Sequence, residues 1–227
     1  MDVTDRNLTV EPLDERVDHV RGEAGATVVL EYGDYECPYS RQAFRAIERV
    51  EQDLSGGVRF AFRHFPLTQI HPHALAAAAA AEAAARQGRF WEMHGLLFHR
   101  QKALDDEDLL MYAGEVGLDV PRFDHDRADD EIIARIARDI RSGEASGVVR
   151  GTPTLFIDGV LHEGGYDKAT LLEALRRWRC RNSTLPTGGQ PRTRCTSTAR
   201  SWGRSVSQPQ RPGTTGGTPR STSACVA

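Results

Sequence analysis

One short stretch, EYGDYECPYS at residues 31–40, joins the end of a predicted strand to the start of a predicted helix. The strand covers residues 27–32, where VVL at 28–30 is a short apolar, β-branched run. Pro38 marks the first turn of the helix, because its fixed φ suits that position and its missing N–H is not needed there. Cys37 therefore stands at a helix N-terminus, where backbone N–H groups and the helix dipole favour a thiolate over a thiol.

The neighbouring segments complete a β-α-β unit over residues 27–64. The helix that starts at Pro38 has an apolar face and ends at Gly56-Gly57. That face is formed by Phe44, Ile47, Val50 and Leu54. Residues 58–63 then alternate with period two, which is typical of a strand. A crossover helix of this kind implies two parallel strands, and a short edge strand is predicted around residues 17–20.

A long helical block and a β-hairpin follow this unit. From His71 to about Arg141 every segment has helical character, and the acidic residues at 105–108 suit the N-terminus of one helix. Strand character then returns, and a closing helix ends the pattern. The predicted elements are the strand entry Gly151-Thr152-Pro153, a strand at 154–157, a turn at Asp158-Gly159, a return strand at 160–162 and a helix capped by Asp167.

The net charge of −3 hides an uneven distribution. Residues 181–227 carry seven Arg and no Lys, Asp or Glu, so the first 180 residues hold all 32 acidic groups against 22 basic ones. An acidic body argues against nucleic acid as the main partner. The segment after residue 180 is rich in Ser, Thr, Pro and Gly and lacks apolar periodicity, which predicts a disordered basic tail.

These patterns predict one folded domain with extensions. The predicted regions are a flexible N-terminus at 1–16, a folded domain at 17–179 with a helical insertion at about 68–145, and the tail at 180–227. Four Cys in 227 residues are too few for a disulfide scaffold. No segment is long and apolar enough to span a membrane, and no secretory signal is visible. We therefore expect a cytoplasmic protein.

Several motifs in a fixed order resemble one known family. The motifs are EYGDYECPY at 31–39, FRHFPL at 62–67 with HPHA at 71–74, GRFWEMH at 88–94 and GTPT at 151–154. Together they resemble the DsbA-like branch of the thioredoxin superfamily, including the DsbA-family domains fused behind sodium/proton antiporters. The resemblance covers about residues 17–178. It implies an α/β thioredoxin fold with an inserted helical domain, thiol–disulfide exchange, and a cis peptide bond before Pro153.

The chain departs from this family at the motif that carries the chemistry. The family's usual motif is Cys-Pro-x-Cys, whereas this chain has Cys37 followed by Pro, Tyr and then Ser40. Cys37 cannot store a disulfide within such a motif, so we expect chemistry with one thiol, in which an external thiol resolves the mixed disulfide. Ser40 is expected to donate a hydrogen bond to the thiolate. The substrate-binding residues that the resemblance implies are Pro38, Tyr39, Thr152 and Pro153.

The expected partners are thiols and disulfides of proteins or of glutathione. No metal or organic cofactor is implied, and glutathione is the candidate co-substrate. His64, His71 and His73 are close in sequence, but Pro72 separates the last two and no carboxylate or thiol is adjacent, so turn and capping roles are favoured over a metal site. The other cysteines are Cys180, Cys195 and Cys225. A flexible tail of this length could carry one of them to Cys37, although no sequence feature docks it there.

Two other classes of function stay open at this point. A redox-inactive module could keep the groove beside Pro153 for extended peptides without catalysis, and Ser40 favours this alternative. A glutathione transferase or isomerase of the kappa-like branch shares the inserted helical domain. Those enzymes usually have Ser at the position of Cys37, which ranks this alternative last.

Overall fold

The computed structural model describes residues 10–182 and 225–226. Strands and helices alternate in the first half, a helical block follows, and a hairpin and a helix close the domain. The strands are β1 (His19–Arg21), β2 (Thr27–Gly33), β3 (Val58–His64), β4 (Gly151–Thr152), β5 (Thr154–Ile157), β6 (Val160–Leu161) and β7 (Cys225–Val226). The helices are α1 (Pro38–Leu54), α2 (Ala74–Ala85), α3 (Phe90–His99), α4 (Asp106–Val116), α5 (Val120–Asp126), α6 (Asp130–Ala145) and α7 (Lys168–Asn182).

The main sheet has the order β1-β3-β2-β5-β6. Strands β2 and β3 are parallel, as the β-α-β pattern predicts, with Val29 opposite Phe60. The other neighbours in this sheet pair in antiparallel fashion. Strands β5 and β6 form the predicted hairpin, and its turn residues Asp158 and Gly159 both have positive φ, at 45° and 81°. Such a turn matches the twist of the two strands, and glycine adopts its φ without strain.

Both faces of the central strands are covered. Val29 belongs to the larger core, which includes Phe44 of α1 and the buried side chains of the helical insertion. Leu30 and Tyr32 lie on the opposite face, in a smaller core that also contains Phe156. Side chains alternate between the faces of a strand, so β2 contributes to both cores. The domain is therefore an α/β thioredoxin fold with an inserted helical domain, as predicted.

The segments predicted to be flexible lie partly within the described residues. In the N-terminal segment, Val10 is buried, and the carbonyls of Glu11 and Pro12 each accept a hydrogen bond of 3.1 Å from Arg63. In the tail, residues 180–182 continue α7, and Cys225–Val226 form β7. The rest of the predicted tail and residues 1–9 lie outside the described residues. No helix in the described part of the chain is long and apolar enough to cross a membrane.

Candidate functional site

Cys37 occupies the position that the sequence predicts, immediately before the first turn of α1. Its backbone is extended, at φ −72° and ψ 120°, and Pro38 follows as the first helical residue. The side chain is fully buried. Its Sγ donates a hydrogen bond of 3.2 Å to the carbonyl oxygen of Thr152, which lies far away in sequence. The thiol at the start of the helix and the turn before β5 therefore form one site.

The turn before β5 has the predicted cis peptide bond between Thr152 and Pro153. Proline cannot donate to a sheet ladder, and here it separates the short strand β4 from β5. Strand β4 pairs with β7 in an antiparallel arrangement, which places Thr152 opposite Cys225. An extended segment of chain thus occupies the edge beside Cys37, where the sequence predicts substrate binding.

The remaining motif residues lie around this site. Ser40 is fully buried in the first turn of α1, and its Oγ accepts a hydrogen bond of 3.3 Å from the backbone N–H of Asp34. Pro38 is exposed, and Tyr39 is half-buried with its ring 6.3 Å from that of Tyr166. The structure brings these residues to the same end of the domain as Cys37. Their roles in chemistry and binding remain predictions.

The loop that carries Cys37 is held by residues that the sequence analysis did not connect to it. The buried carboxylate of Asp34 accepts hydrogen bonds of 2.8 Å from the backbone N–H groups of Glu36 and Leu67. The side chain of Gln101, between α3 and α4, donates to the carbonyls of Tyr35 and Cys37 at 2.7 and 2.8 Å. Because its partners come from separate parts of the chain, the position of Cys37 depends on the whole domain rather than on the motif alone.

The three histidines that the sequence grouped together separate in the structure. His71 Nδ1 lies 2.8 Å from a carboxylate oxygen of Asp34, and His73 Nδ1 lies 3.0 Å from one of Glu36. Both therefore support the loop that carries Cys37. His64 Nε2 instead lies 2.8 Å from the carboxylate of Glu82 in α2.

Glu82 joins His64 to a second histidine from the edge of the sheet. His19 Nε2 in β1 lies 2.8 Å from the same oxygen of Glu82. Possible ligand atoms of these three residues lie within 4.8 Å of one another. Sequence proximity missed this group, because its members come from two strands and a helix. Arg135 also approaches this oxygen of Glu82, at 3.9 Å. The short contacts and this nearby cation are typical of a buried charge network.

Glu31 is a second buried acid that sequence reasoning missed. It lies on β2, fully buried, and neither carboxylate oxygen has a hydrogen-bond partner among the described residues. Burial raises the pKa of Glu31 to about 8, against the opposing effect of Arg21. Period-two alternation along β2 places Glu31 on the same face as Val29, the face that α1 covers. The raised pKa of Glu31 therefore follows from complete burial without a hydrogen-bond partner among the described residues.

Replacing this acid, by Glu31→Gln, is expected to remove a pH dependence of stability. In the folded chain the Glu31 carboxyl keeps its proton up to about pH 8, whereas in the unfolded chain it loses the proton near 4.5, the ordinary pKa of a glutamate. The contribution of Glu31 is therefore fully present below pH 4.5 and is lost as the pH rises toward 8. The free energy of unfolding of the wild type should fall by roughly 1.4 kcal/mol per pH unit relative to Glu31→Gln. Urea unfolding of both proteins at pH 5.5, 6.5 and 7.5 measures this difference, and a constant difference would contradict the prediction.

A thiol at the start of a helix, beside the carbonyl that precedes a cis-proline in this sheet, is the arrangement of a thioredoxin-fold domain. Comparison of the sequence with known families agrees with this fold. The family model of the DSBA-like thioredoxin domain matches residues 28–176, and the chain belongs to this family. The family and the fold that the motifs predicted are thereby confirmed.

Named proteins and solved structures are similar to this chain over most of its length. The chain is 45% identical over 180 residues to Na(+)/H(+) antiporter NhaA 3 of Salinispora tropica, and this match covers 79% of the chain but 27% of that protein. The chain thus spans about a quarter of the length of the curated relatives it matches. A thioredoxin-like oxidoreductase from Silicibacter pomeroyi is 29% identical with a TM-score of 0.65, covering 73% of this chain and 94% of the other. BdbD from Bacillus subtilis shares the fold at 19% identity and a TM-score of 0.65, over 74% and 96% of the two chains.

Proposed function

We propose that this chain is a thiol–disulfide oxidoreductase that acts through Cys37 alone. The observation that carries the proposal is the contact between Cys37 Sγ at the start of α1 and the carbonyl of Thr152, which precedes cis-Pro153. The positive end of the helix dipole favours an anion at this position. Ser40 stands where a second thiol of the motif would stand, so the motif supplies a nucleophile and no thiol that resolves its product.

The proposed reaction consists of two exchanges of thiol and disulfide. The Cys37 thiolate attacks one sulfur of a substrate disulfide, the substrate S–S bond breaks, and the other sulfur leaves as a thiolate. An external thiolate, with glutathione as the candidate, then attacks the mixed disulfide and releases Cys37. Electrons balance, because one disulfide is consumed and one is formed. The cytoplasm, with its glutathione pool, is the compartment that this proposal assigns.

The proposed substrate lies along the turn at Thr152 and Pro153, next to Pro38 and Tyr39. Pairing of β7 with β4 supports this assignment, because the backbone at this edge accepts an extended partner. Cys37 is fully buried, so a disulfide reaches it only after a local opening at this edge. The rate of the first exchange therefore depends on that opening as well as on the thiolate.

Intact mass spectrometry after incubation with oxidised glutathione tests the proposal. We expect one glutathionyl group on Cys37, and its loss in the variant Cys37→Ala. Trypsin cleaves after Arg21 and Arg41, so Cys37 is alone in its peptide and its adduct is distinct from one on exposed Cys180. A peptide of residues 22–41 that stays unmodified while the Cys180 peptide reacts would overturn the proposal.

The same experiment tests a resolving role for the tail. The register of β7 brings the backbone of Cys225 opposite Thr152, whose carbonyl contacts Cys37. If Cys225 resolves the adduct, the chain loses two hydrogens and a bridged peptide appears. The variant Cys225→Ser would restore the glutathionyl adduct in that case. If the adduct is equally stable in both proteins, the resolving thiol is external.

A binding module without catalysis is the second candidate, and the complete burial of Cys37 favours it. In this alternative the edge beside cis-Pro153 binds extended peptides, and the thiol is only a packed core residue. Cys37→Ala separates the two candidates. Unchanged binding of a partner together with an unreactive Cys37 supports the module, whereas loss of a covalent complex supports the oxidoreductase.

A further inference from the structure

Strand β4 pairs with a part of the chain that is distant in sequence. Its two residues, Gly151 and Thr152, are buried and do not join the five-stranded main sheet. Among the described residues their one strand partner is β7, in which Val226 lies opposite Gly151 and Cys225 lies opposite Thr152. Thr152 is also the residue whose carbonyl contacts Cys37 Sγ. The pairing of β4 with β7 therefore lies directly beside the thiol.

The residues around β7 are suited to an extended strand. Residues 221–227, STSACVA, contain no proline, no glycine and no charged residue. Val226 is β-branched, a type of residue that is enriched in strands. Residues 183–220 differ, because proline, glycine and arginine recur among them. Composition therefore distinguishes the segment that pairs with β4 from the residues before it.

The spacing along the chain allows this contact to form within one molecule. Helix α7 ends at Asn182 and β7 begins at Cys225. A flexible chain of about 40 residues has a mean end-to-end distance of about 35 Å. A segment tethered in this way competes for its site at an effective concentration on the order of 1 mM. The seven Arg of residues 181–227 and the net negative charge of the first 180 residues also attract each other.

Strand β7 meets the site in the way that an extended substrate would. A peptide that adds a strand to a sheet edge gains backbone hydrogen bonds there, whatever its side chains are. β7 pairs with the same edge that the proposed substrate uses. Cys37 is fully buried while β7 is in place. Because the edge cannot pair with β7 and with a substrate at the same time, the two exclude each other.

We propose that the segment at residues 225–226 is an internal competitor, which occupies the substrate-binding edge and restricts access to Cys37. A substrate segment displaces β7 before its disulfide reaches the thiol. Release of β7 from β4 is then the local opening that the first exchange requires. This inference rests on the proposed function, since it concerns access to the same site.

Two variants of the full chain that both lack the Cys225 thiol isolate the effect of the pairing. Cys225→Ser keeps both backbone N–H groups of β7, whereas Cys225→Pro/Val226→Pro removes both. Successive residue pairs of an antiparallel ladder alternate between hydrogen-bonded and non-hydrogen-bonded pairs. The double-proline variant therefore removes the donor at whichever position of β7 bonds to β4. The rate at which iodoacetamide modifies the peptide of residues 22–41 in the reduced chain measures access to Cys37 without disulfide chemistry.

Iodoacetamide should modify Cys37 about three- to tenfold faster in the double-proline variant than in Cys225→Ser, the range expected for the loss of one backbone hydrogen bond. A peptide of residues 222–227 that carries Cys225→Ser, added at several times the effective concentration of about 1 mM, should slow the double-proline variant again. The matched control is Thr214→Pro/Thr215→Pro in the Cys225→Ser chain, because it adds two prolines to the same region outside β7. Its rate should equal that of Cys225→Ser.

Equal rates in Cys225→Ser and the double-proline variant would overturn the internal competitor. An equal acceleration in the Thr214→Pro/Thr215→Pro control would overturn it as well. Faster modification by iodoacetamide in the double-proline variant, together with no modification of Cys37 by oxidised glutathione, would support restriction by β7 and overturn the proposed function instead. The two failures are therefore distinguishable.

Discussion

The substitution Ser40→Cys is expected to replace a lasting glutathionyl adduct on Cys37 by an internal disulfide. Residues 37 and 40 are three apart at the start of α1, a spacing that places them on the same face of the helix. Ser40 is fully buried, and a thiol differs from its hydroxyl by a small volume that the first turn can absorb. Attack by a thiol in the same turn is intramolecular, so the lifetime of the adduct should shorten by on the order of 100-fold or more.

Intact mass spectrometry at successive times after addition of oxidised glutathione measures this effect. The wild type should keep the glutathionyl group, whereas Ser40→Cys should end with the loss of two hydrogens within the peptide of residues 22–41. Ser40→Ala is the matched control, because it removes the hydroxyl without adding a thiol, and its adduct should persist. A Ser40→Cys adduct as long-lived as that of the wild type would show that Ser40 does not stand at the resolving position.

Local sequence patterns were sufficient to predict the elements that surround the candidate site. The VVL run at 28–30 predicted β2, Pro38 predicted the start of α1, and Asp158-Gly159 predicted the turn between β5 and β6. Each of these signals acts within a few residues, because it depends on backbone conformation or on one periodic face. The proximity of Cys37 to Thr152 came from the family resemblance, since no local pattern relates residues so far apart.

Partners that are distant in sequence could not be predicted in this way. The alternation along β3 suggests that Arg63 faces solvent, yet its side chain is fully buried. The reason is that a second core and α6 cover the other face of the sheet. Glu82 likewise meets His19 and His64 only through the packing of α2 on the sheet. Whether a charged side chain is buried at such a position depends on its tertiary partner. The periodicity of a single strand carries no information about that partner.

Arg63→Met is expected to lower the free energy of unfolding by about 3–5 kcal/mol, the usual result when one partner of a buried ion pair is removed. Arg63 and Asp18 are both fully buried and form two hydrogen bonds of 3.0 and 2.8 Å. Burial opposes the charge of Arg63, but bonds to Asp18 and to the Tyr32 hydroxyl raise its pKa above the ordinary value. The substitution removes the cation that compensates the buried charge of the Asp18 carboxylate. It also removes the hydrogen-bond donor to the carbonyls of Glu11 and Pro12.

Urea unfolding at pH 7 measures this loss, with Arg59→Met as the matched control on the same strand. Arg59 pairs with Glu15, whose side chain is 65% exposed, so the control should lose at most about 1 kcal/mol. The double variant Asp18→Asn/Arg63→Met should be more stable than the sum of its two single changes implies, because it leaves no unpaired buried charge. Equal losses in Arg63→Met and Arg59→Met would contradict the prediction. Such a result would mean that the ion pair of Arg63 with Asp18 does not anchor the segment before β1 to the sheet.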